Sequence, residues 1–128
     1  MHRVIRFRTS AFDVTKERTN PINPIHGESL LHWLSEKWPD GQFFTKPAPE
    51  DWGWYAELFC GGRQYMLGAS CSDEPEGDRE WVLQIVKVRS FSEKLLGRAR
   101  MTADDECFLI AKRLLEGESA FHSLAVVA

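Results

Sequence analysis

Residues 49–58 read Pro-Glu-Asp-Trp-Gly-Trp-Tyr-Ala-Glu-Leu and gather three carboxylates and three aromatic rings in ten positions. Two kinds of chemistry fit that composition. Glu50 and Asp51, with Glu57 downstream and His26 upstream, are candidates to hold a divalent cation or to exchange protons in a small hydrolase or metal-assisted enzyme. Adjacent side chains of an extended chain point apart, however, so Glu50 and Asp51 are not expected to converge. Asp51 equally suits a turn after Pro49, its carboxylate accepting from backbone N–H groups. This reading names no catalytic residue and no metal ligand. The other chemistry is recognition. Trp52, Tyr55, Glu57 and Phe59, joined by Gln64 and Met66 from the next strand, offer large rings beside a carboxylate and an amide, a surface suited to a protein partner or a small polar ligand. The plainer alternative is an ordinary open sheet face, with Tyr55 covering the bare backbone of Gly68 and Glu57 pointing to water.

Other signatures of catalysis or cofactor binding do not form. His2, His26, His32 and His122 make neither H-x-x-x-H nor H-E-x-x-H spacing, and Cys60, Cys71 and Cys107 make no C-x-x-C. No serine has a G-x-S-x-G or S-x-x-K setting. Gly61-Gly62 and Gly68 lie in a hairpin with no helix following, which is not a phosphate loop. No cofactor is implied.

Charge and length bound the classes further. With 128 residues, 43% hydrophobic and 27% charged, the chain is expected to be one folded domain. Its net charge of −3 argues against a dedicated nucleic-acid binder. The charge is uneven: residues 40–80 hold nine acids and three bases, whereas Lys87, Arg89, Lys94, Arg98 and Arg100 face only Glu93 in their segment. Nucleic-acid binding would need that basic run, with Phe91 inside it, to neighbour Arg3, Arg6 and Arg8. The odd cysteine count reads as free thiols in a reducing compartment. No apolar run approaches membrane-spanning length, so the reading expects a cytoplasmic protein without a membrane partner.

The elements that must position these residues follow from periodicity. Arg3 to Thr9 alternates, Ile5 and Phe7 on one side against Arg6 and Arg8. Asn23 and Pro24 read as the cap and first residue of a helix to Trp38, with Leu30, Leu31, Trp33, Leu34 and Trp38 in its stripe and Glu28, His32, Ser35 and Glu36 opposite. A strand at Gln42 to Lys46 and a loop at Pro47-Ala48-Pro49 precede the clearest unit, strands Trp52 to Cys60 and Arg63 to Ser70 around Gly61-Gly62. A two-residue turn there sets the register, pairing Tyr55 with Gly68, Glu57 with Met66 and Leu58 with Tyr65. It turns Trp54, Ala56, Leu58, Tyr65, Leu67 and Ala69 to the core and keeps Cys60 apart from Cys71. The acidic loop 72–80 leads to a strand Trp81 to Arg89. Ser90 and Glu93 form a capping box for a short helix. Thr102 is read as the cap of a last helix from Ala103 to Glu116, with Ala103, Cys107, Ile110, Ala111 and Leu114 on its buried face, and Gly117 ends it. The tail from Phe121 is expected to pack on the body or add a short strand.

The fold class is therefore α+β: a mainly antiparallel sheet of about five strands with two main helices packed on one face, in the order β-α-β-β-β-β-short α-α. Asn-Pro-Ile-His-Gly-Glu-Ser-Leu-Leu-His-Trp-Leu, Glu-Asp-Trp-Gly-Trp-Tyr and Tyr-Met-Leu-Gly together resemble a small bacterial family in which a proline-led helix precedes an EDWGW strand and a hairpin. The resemblance covers residues 20–70 well and the rest loosely. It implies a bacterial cytoplasmic domain and carries no activity or catalytic residue to this chain. The functional expectation is a non-enzymatic interaction module, one concrete form being an acidic inhibitor of a basic protein. A homodimer through an open edge or face is the other occupant left open.

Overall fold

Six antiparallel strands form one sheet in the computed structural model, which describes residues 2–39, 44–74 and 77–127. The strands are β1 His2–Thr9, β2 Ala48–Glu50, β3 Gly53–Cys60, β4 Arg63–Cys71, β5 Arg79–Lys87 and β6 His122–Val126. They lie in the order β2-β3-β4-β5-β1-β6. Helices α1 Glu28–Lys37 and α3 Glu106–Glu116 pack on one side, and the short α2 Phe91–Leu95 follows β5. The architecture is the expected α+β antiparallel sheet, with the tail adding a sixth strand beside β1.

The Gly61-Gly62 turn sets the predicted register: Tyr55 faces Gly68, Glu57 faces Met66 and Leu58 faces Tyr65. Both glycines have φ in the left-handed region, as a two-residue hairpin needs. Every second residue is therefore driven inward. Trp54, Ala56, Leu58, Tyr65, Leu67 and Ala69 are all buried, continuing through Leu83 and Ile85 of β5 to Ile5 and Phe7 of β1. From the helices, Leu30, Leu31 and Leu34 of α1 and Cys107, Phe108, Ala111 and Leu115 of α3 close the core. Phe121, just before β6, stacks on Phe7 and Trp33 with ring centroids 4.7 and 4.9 Å away. The three cysteines are free, as expected.

Several boundaries differ from expectation, each for a non-local reason. Asn23 and Pro24 do not start α1; the helix begins four residues later, with Gly27 as N-cap and no side-chain cap of its own. Its first N–H groups are satisfied from ten residues upstream. The Glu17 carboxylate accepts from Gly27 N at 3.0 Å and Ser29 N at 2.8 Å, placing a buried negative charge where the helix dipole favours one. Glu28, expected opposite the apolar stripe, is 4% exposed. It accepts from the Arg18 main-chain N–H at 2.9 Å and from Arg18 Nε. Burial pushes the Glu28 pKa up, yet the two Arg18 donors outweigh it and hold the pKa below the ordinary value.

The strand expected at Gln42 to Lys46 falls partly outside the described residues, and 44–46 are not a strand, although Thr45 N donates to the Glu57 carbonyl. The strand lies at Ala48–Glu50, where a loop was expected. Pro49 is tolerated because β2 is a sheet edge with β3 as its one neighbour. β5 starts and ends two residues earlier than expected. Ala103 lies outside α3 and is exposed, and Phe108 and Leu115 are buried more deeply than Ile110 and Leu114. The capping box of α2 and the stop at Gly117 are as expected.

Candidate functional site

The two tryptophans of Glu-Asp-Trp-Gly-Trp sit two residues apart, so strict alternation would place them on one face. They lie on opposite faces, and Gly53 is the reason. Its φ of 149° is a conformation that side-chain-bearing residues rarely adopt, and a methyl group there would lie 2.3 Å from the Ala69 carbonyl oxygen. Trp54 enters the core, its indole Nε1 donating to the Ile25 carbonyl at 3.0 Å. Trp52 swings over the outer face instead. A methyl group on Gly68 would lie 2.6 Å from its ring, so Trp52, rather than Tyr55, covers that bare backbone.

The outer face carries the predicted set. Tyr55, Glu57 and Phe59 of β3 alternate with core residues, and Gln64 and Met66 of β4 stand opposite Phe59 and Glu57. Trp52, Tyr55, Glu57, Gln64 and Met66 are half-buried, and Phe59 is 61% exposed. Gln64 Nε2 donates to Glu57 Oε2 at 2.5 Å, fixing an amide–carboxylate pair beside the exposed ring. The register carries the face onward through Gln84 and Val86 of β5 to Val4 of β1. Those residues were missed, although the alternation of Arg-Glu-Trp-Val-Leu-Gln-Ile-Val-Lys marks Val82, Gln84 and Val86 as one side. Their neighbours could not be named without the β4–β5 and β1–β5 pairings.

The candidate enzyme residues do not converge. Glu57 is on the outer face, bonded to Gln64, whereas His26 Nδ1 lies 3.3 Å from Glu17 Oε1 at the helix side of the sheet. Glu50 pairs with Gly53 at the β2 edge, and Asp51 is exposed in the tight turn between β2 and β3. Asp51 bonds there through its main-chain carbonyl, which accepts from Asn23 Nδ2 at 2.8 Å, rather than through the expected carboxylate. Among the described residues no three His, Cys, Asp or Glu side chains are grouped to hold a metal ion. The thiols are poor nucleophiles. Burial pushes the pKa of Cys60 and Cys107 up, and that of Cys71 up to about 12.

The β1 arginines and the described acids of the 72–80 loop largely answer one another. Arg8 bonds to Glu74 at 2.8 Å and to Asp78 at 3.0 Å, Asp78 also meets His122 Nε2 at 2.9 Å, and Arg6 lies 3.7 Å from Glu80. Much of the described acidic loop thus answers β1 and β6. Arg6 and Arg8 also lie toward the opposite end of the strands from the 87–100 run, which adjoins Arg3 alone of the three. Arg3 is itself drawn over the Phe108 ring, 5.5 Å from its centroid.

Compared with family models, curated proteins and solved structures, the chain matches none.

Proposed function

We propose that this protein is a non-enzymatic interaction module that captures a protein partner on the outer sheet face, with Phe59 as the anchor. What supports the reading most is Phe59 itself. It is an aromatic ring 61% exposed on the penultimate residue of β3, beside the Gly61-Gly62 turn, with the fixed Glu57–Gln64 pair and Met66 as its neighbours on that face. A large ring held open on a rigid strand costs solvation and gains nothing for the core, whereas it suits the centre of a binding patch. Met66 shapes its surroundings, Tyr55 and Trp52 extend the same face toward the other end of β3, and the Glu57 carboxylate and Gln64 amide give directional contacts at its side. The loop acids Glu74 and Asp78 are bonded to Arg8, so recognition relies on this aromatic face rather than on an acidic loop reaching a basic partner.

Affinity capture from lysate of the native host tests the reading. A partner retained by the wild-type protein should be lost with Phe59→Ser and weakened with Glu57→Ala. Retention unchanged by both substitutions, in proteins that keep their melting temperature, would remove the proposal.

A further inference from the structure

The largest exposed apolar side chains other than Phe59 concentrate in one short segment. Phe91 is 81% exposed, Leu95 73% and Leu96 61%. Phe91 and Leu95 are one turn apart on α2, and Leu96 is its C-cap. This is no loose loop. Ser90 and Glu93 close the capping box, Arg63 binds Glu93 through two bonds of 2.9 and 2.7 Å, and Val88 N donates to the Gln64 carbonyl. Met101, 3% exposed, returns the chain to the core. The fold therefore holds three apolar side chains outward on a firmly tied projection.

Cations flank them in the chain, Arg89 reaching across α2 to donate to the Arg98 carbonyl at 3.1 Å. Arg89, Lys94, Arg98 and Arg100 have no carboxylate partner among the described residues. Of the nearby acids, Glu93 is taken by Arg63 and Asp105 by Lys87 at 2.8 Å, leaving Asp104 and Glu106 at the start of α3. The excess acid of the chain lies elsewhere. Asp73, Glu74, Asp78 and Glu80 flank the β4–β5 connection at the far end of nine-residue strands. At ~3.3 Å per residue that is roughly 30 Å away, several times the ~8 Å screening length at physiological salt.

From this charge complementarity we infer that α2 and its flanks dock the protein on an anionic lipid surface, with Phe91, Leu95 and Leu96 entering the interface and Arg89, Lys94, Arg98 and Arg100 meeting headgroups. The shape favours lipid over a protein groove. Groove recognition of a helix reads anchors out to i+7, beyond the five residues of α2, whereas a bilayer interface needs no complementary cavity. A single weak signal does not hold a protein to a membrane, and this segment supplies two, apolar insertion and positive charge. No described helix is long and apolar enough to cross a bilayer. The inference concerns attachment at the surface, which the sequence reading did not expect.

Flotation of the whole chain with vesicles tests it. Binding is expected to vesicles of phosphatidylcholine mixed with phosphatidylserine, little to phosphatidylcholine alone, and release as salt rises. Replacing Lys94 and Arg98 by Gln should weaken partitioning about fivefold for each charge, and Phe91→Ser with Leu95→Ser and Leu96→Ser by about a thousandfold or more. All these side chains are exposed, so the melting temperature should hold; Leu95→Ser alone serves if the triple variant does not fold. Absence of binding to phosphatidylserine vesicles would overturn the inference. So would binding indifferent to the three serines, which reports charge attraction alone, or equally tight binding to soluble polyglutamate, which points to an acidic protein.

Discussion

Replacing Asp105 by Ala should be among the most damaging single changes in this chain. Its carboxylate accepts from the Tyr65 hydroxyl at 2.6 Å, Lys87 Nζ at 2.8 Å and the Thr102 main-chain N–H at 2.7 Å. The side chains of Asp105 and Lys87 are 6% and 16% exposed, so water cannot replace the lost partner easily. Burial raises the Asp105 pKa, but the donors from Lys87, Tyr65 and Thr102 overcome it and leave the pKa below the ordinary value. Removing one member of a buried ion pair typically costs about 3–5 kcal/mol, with the orphaned phenol inside that figure rather than added to it. For a chain of this size each kcal/mol moves the melting temperature by roughly 3–5 °C, so a fall of about 9–25 °C is expected. Asp105→Asn keeps an acceptor and should lose about half as much. Urea unfolding of Asp105→Asn, Lys87→Met and the double variant should show a coupling of about 2 kcal/mol. An Asp105→Ala loss below about 1 kcal/mol, with no coupling in the cycle, would refute the argument.

Further outcomes are expected. Gly53→Ala should destabilise by more than about 2 kcal/mol in urea melts, because both φ and the Ala69 carbonyl oppose a methyl group there. Trp52→Ala should cost about 1–3 kcal/mol by uncovering Gly68, whereas Phe59→Ser should leave the melting temperature nearly unchanged. Hydrogen bonding from Arg63 and from the Ser90 main-chain N–H, with burial opposing, holds the Glu93 pKa at about 2. Because the folded pKa lies below the unfolded one, this carboxylate supports the fold fully above the ordinary value of 4.5 and loses its contribution as pH falls toward 2. A carboxyl-carbon NMR titration should therefore show Glu93 ionised at pH 3.

The hairpin could be read from the sequence because Gly61-Gly62 is a local instruction: two left-handed residues fix the register, and the register sorts every side chain for eight residues either way. Tyr55, Glu57, Phe59, Gln64 and Met66 of the candidate set inherit that certainty of facing, whereas Trp52 owes its place to Gly53. What stayed hidden depends on partners distant in the chain. Asn23 reads as a cap, whereas the structural role falls to Asn20, whose amide donates to the carbonyls of Glu50 and Gly53 while its Oδ1 accepts from Ile22 and Asn23. The carboxylate that serves the first N–H groups of α1 is that of Glu17, which no local pattern announces. Thr102 likewise looks like the start of α3, but its N–H is turned to Asp105. The acids at 74 and 78 read as an acidic loop free to meet a basic partner until β1 brings Arg8 to them. Pro49 hid a strand because a proline is excluded from sheet interiors, and nothing in the sequence marks β2 as an edge.

The most direct test of the proposed binding face is site-specific photocrosslinking in native lysate, with a benzophenone side chain placed singly at 59, at 66 and, on the helix side, at 36. The same adduct should form from 59 and 66 and not from 36, whose Glu is exposed on α1. Adducts confined to position 36, or none from the outer face, would contradict the account.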